Sequence, residues 1–129
     1  MITLRSQYTW AIAVPTSIGV RLSPEERQPV HMSSHYRLSG SSAETNAASI
    51  SAALGLSVKV LTNFVKGSPI AQLLKSDLMG RGMSVDSAEV EQGGPWGYRH
   101  QFNIADTGFG ARGPRVYNDR AGFRPRAPV

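Results

Sequence analysis

The chain contains no cysteine among its 129 residues. That excludes a disulfide scaffold, a cysteine-based zinc site and a thiol nucleophile. It has no apolar run near 18 residues, so no transmembrane helix is expected. The stretch Tyr8 to Val14 is apolar but short, with only one positive charge before it, and does not make a targeting signal. A cytoplasmic location is expected, without membrane contact. Aromatic residues are sparse at 8% and charged residues modest at 18%, while 40% are hydrophobic. Such a composition supports a folded domain with a core.

Positive charge is unevenly spread. Residues 1–98 carry 8 Lys/Arg against 7 Asp/Glu, whereas residues 99–129 carry 6 Arg against 2 Asp. The C-terminal quarter could therefore meet an anion, either nucleic acid, phosphate or carboxylate, or could be a solvated loop and tail.

Tyr8–Val14 reads as a strand, interrupted by Pro15-Thr16-Ser17 and continued by Ile18–Leu22. Ser23–Glu26 is a turn, and 30–38 alternates loosely as an edge or lid strand. Ser41 with Glu44 has capping-box spacing and opens a helix. Its expected buried stripe is Ala43, Ala47, Ile50, Ala53 and Leu54, and Gly55 ends it. Val58–Phe64 is a compact apolar strand. Ser68-Pro69 opens a second helix, with Ile70, Leu73, Leu74, Leu78 and Met79 facing inward. Val85 starts another extended segment. This strand–helix–strand–helix–strand order predicts an α/β fold with a parallel sheet.

After Gln92–Gly97, a Gly/Pro turn, the style changes. Two strands, 98–105 and 115–118, joined by the Gly-rich 107–114, predict an antiparallel hairpin or lid. Residues 123–129 have no periodicity and read as a disordered tail.

Gly108–Gly113 matches G-x-G-x-x-G, but Pro114 and Val116-Tyr117 follow where a dinucleotide loop needs a helix, so a hairpin loop is expected. His31 and His35 stand at i, i+4 in a segment that is not helical, and no metal site is assigned. Nothing resembles a nucleophile elbow, and no catalytic residue is assigned. The Gly/Arg mixture of 108–126, with Tyr117 and Phe123 able to stack on bases, leaves an anion- or nucleic-acid-binding module as the alternative. The turn Gly40–Asn46 runs into a helix. Its backbone N–H groups and Asn46 could meet hydroxyls or anions, or the turn could be a plain cap with Asn46 in solvent.

Four segments in order carry a resemblance: Val20-Arg21-Leu22-Ser23-Pro24, Ser41–Leu56, Val58–Ala71 and Val116–Gly122. Together they resemble the N-terminal part of the ribokinase-like PfkB carbohydrate kinases, closest to 2-keto-3-deoxygluconate kinase-like proteins. The resemblance implies a partial Rossmann-like parallel sheet with flanking helices and a small antiparallel β lid. It makes residues 1–122 the sugar side of such a domain, and 123–129 a non-native tail from a truncated or frameshifted product.

The implied activity, in a complete protein, is ATP- and Mg-dependent phosphorylation of a sugar or keto-deoxy sugar acid. The implied substrate-binding residues are Gly40, Ser41, Ser42, Asn46, Asn118 and Arg120. Arg120 stands where the family pairs an arginine with the substrate's acid group, and Asn46 where an asparagine contacts the sugar. The family's paired glycines are Ser41 and Ser42 here, its first-strand acid is replaced near Thr16-Ser17, and its lid tyrosine is Asn118. The family's catalytic aspartate and most of its ATP site have no counterpart in the chain. It is expected to bind no cofactor and to show no kinase activity alone. Sheet surface left uncovered would favour a homo-oligomer.

Overall fold

The computed structural model describes residues 7–120, and the expected tail at 123–129 lies outside them. The elements run β1 (Ile12–Pro15), β2 (Gly19–Pro24), β3 (Tyr36–Ser41), α1 (Ala43–Ala53), β4 (Val58–Val65), α2 (Pro69–Gly80), β5 (Ser84–Val90), β6 (Phe102–Asp106) and β7 (Arg115–Asp119). They form two sheets. One is parallel, in the order β1-β4-β5; the other has four strands, in the order β3-β2-β6-β7.

The parallel sheet follows from the sequence pattern. In β4, Val58, Val60, Thr62 and Phe64 are all buried. This period of two places them on one face. Against that face α2 lays Ala71, Leu74 and Leu78 at helical spacing, joined by Met83. Leu74 and Leu78 are fully buried, each contributing about 1.5–3 kcal/mol. Pro69 occupies the first turn of α2, where a missing N–H costs nothing. Met79, expected inside, is 60% exposed one residue past the buried face.

The α1 helix forms where expected but is rotated. Thr45 and Ala48 are buried, with Ala52 partly so, while Ile50 is 66% and Leu54 76% exposed. The expected stripe of Ala43, Ala47, Ile50, Ala53 and Leu54 is thus corrected to a narrow face of small residues. The cause lies at the helix start. The cap is Ser42, one residue later than the spacing suggested, and its Oγ accepts from Thr45 N at 3.2 Å. Glu44 reaches sideways to accept from the Thr16 hydroxyl.

The second sheet also departs from expectation. Its outer pairs, β2–β3 and β6–β7, are antiparallel, but the central pair β2–β6 is parallel. Half of the lid therefore comes from the first third of the chain: β3, from the segment expected as an edge or lid strand, and β2, which joins it to the hairpin. The segment 30–38 is a strand only from Tyr36 onward, and Glu25–Arg27 is a 3-10 turn. The Gly-rich loop closes the β6–β7 hairpin, with Phe109 bridged to Arg112, and no helix follows it among the described residues.

His100 joins the sheets. It is buried, its Nε2 accepts from Val65 N at 3.3 Å, and its ring lies 5.6 Å from that of Phe64. Among the described residues, no helix is long and apolar enough to cross a membrane.

Candidate functional site

The register of the second sheet creates its polar face. Arg21 pairs with Ser39 on one side and Asn103 on the other, and Asn103 pairs with Asn118. Residues paired across strands share a face. Two residues toward the parallel sheet, Gly19 pairs with Ser41. Continuing the register by one residue sets Gln101 beside Gly19 and opposite Arg120. A side chain at position 19 would run into that of Gln101. Glycine is what lets Gln101 lie across the sheet.

From these two rows Arg21, Ser41, Gln101, Asn103, Asn118 and Arg120 line a cleft of about 320 Å³. Its other wall is Thr16 and Ser17, just past the end of β1, and the cap and first residues of α1, Ser42 to Glu44. A site at the carboxyl end of a parallel strand, against a helix N-terminus, is a common ligand position in α/β sheets. Three of its lining residues each carry a buried polar atom without a hydrogen-bond partner among the described residues: Arg21 Nε, Gln101 Oε1 and Asn103 Oδ1. Leaving a buried polar group unsatisfied costs about 1–3 kcal/mol. The larger hollow at the lid tip, about 620 Å³, between Glu25, Glu26, Arg27 and Arg37, has no such atoms.

On the opposite wall, the hydroxyls of Thr16 and Ser42 each lie 2.9 Å from Glu44 Oε2 and 2.8 Å from one another. The Glu44 carboxyl is held below the usual carboxylate range. Its own backbone N–H at the helix start is the largest cause, followed by the Ser42 and Thr16 hydroxyls, with the positive charge of Arg120 adding to them. Glu44 is therefore ionised at neutral pH. With Arg21 and Arg120 the cleft carries a net charge of about +1.

Of the six residues expected to bind substrate, Ser41, Ser42, Asn118 and Arg120 line this cleft. Asn118 Oδ1 accepts from Asn103 Nδ2. Gly40 and Asn46 do not line it. Asn46 is exposed, and its Oδ1 accepts from Arg81 Nη1 at 3.0 Å; the Gly40 carbonyl accepts from Arg81 Nη2 at 3.4 Å. Asp119, next to Arg120 in the chain, is paired with Arg99 at 2.7 Å.

Sequence reasoning missed Arg21, Glu44, Gln101 and Asn103 as cleft residues, and marked Thr16-Ser17 only as the place of the family's first-strand acid. A signal existed for three of them: an arginine inside a largely apolar strand, and two amides spaced by two at the start of β6. In the basic C-terminal quarter, Arg99 is engaged with Asp119, and Arg112 with Asp106 and the Arg27 carbonyl. No three His, Asp or Glu side chains come together for a metal among the described residues.

No protein-family model matches the sequence, and no curated protein does. Solved structures do. A 2-dehydro-3-deoxygluconokinase from Thermotoga maritima is similar with a TM-score of 0.78 and 23% identity, over 88% of this chain and 33% of that one. A PfkB family carbohydrate kinase from Listeria grayi gives 0.71 and 24%, over 87% and 33%. An uncharacterized sugar kinase from Pyrococcus horikoshii, solved in complex with ATP, gives 0.64 and 14%, over 82% and 33%. The chain spans about a third of the length of these structures. Its parallel sheet, two helices and lid thus share the fold of the PfkB carbohydrate kinases, over that third of their length.

Proposed function

We propose that the chain is the sugar-side part of a PfkB-type carbohydrate kinase and that its cleft takes a sugar acid. The observation that carries this reading is the orphaned trio on the cleft floor. Gln101 Oε1 and Asn103 Oδ1 are acceptors and need donors, which sugar hydroxyls supply. Arg21 is a cation and needs an anion. One polyhydroxy carboxylate meets all three needs, and its charge balances the +1 of the cleft. The Thr16, Ser42 and Glu44 cluster offers a further hydrogen-bond site for a hydroxyl. The similarity in fold to a 2-dehydro-3-deoxygluconokinase supports the same class of ligand.

In the complete reaction the phosphoryl donor is ATP with Mg, which neutralises charge on the transferring group. The part played by this chain is confined to the sugar: binding it, orienting it and excluding water from one of its faces.

The test has two arms. Titration with gluconate or 2-keto-3-deoxygluconate should show binding, and glucitol, which lacks the carboxylate, should bind more weakly. Coupled ATP turnover by the 129-residue chain alone should stay at background across a panel of sugars and sugar acids. Equal binding of acid and neutral polyol contradicts the ligand class, and turnover above background contradicts the confinement to the sugar.

A further inference from the structure

We propose that Arg21 is the residue that selects a carboxylate in this cleft, ahead of Arg120; the inference rests on the sugar-acid reading above. The two arginines stand in different surroundings. Arg120 lies just beyond the end of β7, exposed to solvent, and the ionised Glu44 carboxylate already sits in its field. Arg21 lies in the middle of β2, between β3 and β6, half-buried, with its Nε buried. Among the described residues no acid forms an ion pair with Arg21, whereas Arg81, Arg99 and Arg112 each have one.

A partly desolvated guanidinium without a counter-ion is the group with most to gain from a carboxylate. Its planar fork can take both carboxylate oxygens at once. A shielded charge also discriminates more strongly than one in open water, because the local dielectric is lower.

The neighbours of Arg21 sharpen the assignment. The orphaned oxygens of Asn103, its paired neighbour, and of Gln101, one row away, are both acceptors. They would repel a carboxylate and attract hydroxyls. The carboxylate therefore sits over Arg21, and the hydroxylated carbons run across β6 toward Glu44 and Arg120.

The experiment compares gluconate with glucitol on the 129-residue chain, by calorimetry and by chemical-shift titration of the side-chain amides of Gln101 and Asn103. In Arg21→Gln the preference for the acid should fall about tenfold or more. In Arg120→Gln it should fall by about threefold or less, as expected for an exposed pair. Arg21→Lys keeps the charge and the strand position but loses the fork, so it should retain part of the preference. It also serves if Arg21→Gln fails to fold. A preference that survives Arg21→Gln, or that vanishes only in Arg120→Gln, overturns the assignment and leaves the sugar-acid cleft standing. Failure of the unmodified chain to prefer the acid at all overturns the cleft reading and this assignment with it.

Discussion

The two sheets of this molecule are stabilised by different means. The parallel sheet is held by apolar burial: β4 supplies one continuous face and α2 covers it. The lid sheet spends its polar face on a cleft, where Arg21, Gln101 and Asn103 leave atoms without partners. We propose that a bound ligand supplies the partners these three atoms lack. The junction between the two sheets is His100, together with the Thr16, Ser42 and Glu44 contacts.

The largest effect expected is in the parallel sheet. Leu74→Ala should cost about 2–5 kcal/mol of stability by denaturant unfolding, because it empties a fully buried site. Leu54→Ala, on the exposed side of α1, should change stability by less than about 0.5 kcal/mol. A comparable cost at Leu54 would mean that the α1 face is covered.

In the lid, Gly19→Val should remove ligand binding by displacing Gln101, and overpacking there should cost about 1–3 kcal/mol. Retained binding would separate Gln101 from the ligand. At the junction, Ser42→Ala should cost about 1 kcal/mol through the lost cap on Thr45 N.

The smallest effect concerns pH. Burial lowers the pKa of His100 below its ordinary 6.5, opposed by a hydrogen bond to the Ile18 backbone. The folded protein therefore favours the neutral ring. Its contribution to stability is present above pH 6.5 and is lost as the pH falls below that value toward the lowered pKa. Thermal midpoints should drop over that interval, and the drop should be absent in His100→Gln. A drop of equal size in that variant would place the titrating group elsewhere.

How much of this could be read from the chain follows the same division. The β4 apolar pattern and the Ser68-Pro69 helix start are local signals, and the structure has both elements. The rotation of α1 was misread because periodicity ranked Ile50 and Leu54 above Thr45 and Ala48. The face that α1 buries depends on contacts distant in the chain, and the one at its start, between Thr16 and Glu44, spans 28 positions. The lid face was hidden for the same reason. Arg21 and Asn103 become neighbours only through a parallel pairing across about eighty residues. The resemblance to carbohydrate kinases pointed to Ser41, Ser42, Asn118 and Arg120, which the structure gathers at one cleft, and to Asn46, which it turns toward Arg81.

The most direct measurement is a chemical-shift titration of the unmodified chain with gluconate, matched by glucitol. Gluconate should shift the side-chain amides of Gln101, Asn103 and Asn118 together with the Arg21 Nε–H, saturating with a single affinity. Glucitol should shift the same amides only at much higher concentration. Shifts confined to the lid tip around Arg27 and Arg37, or no difference between the acid and the neutral polyol, would contradict a sugar-acid cleft.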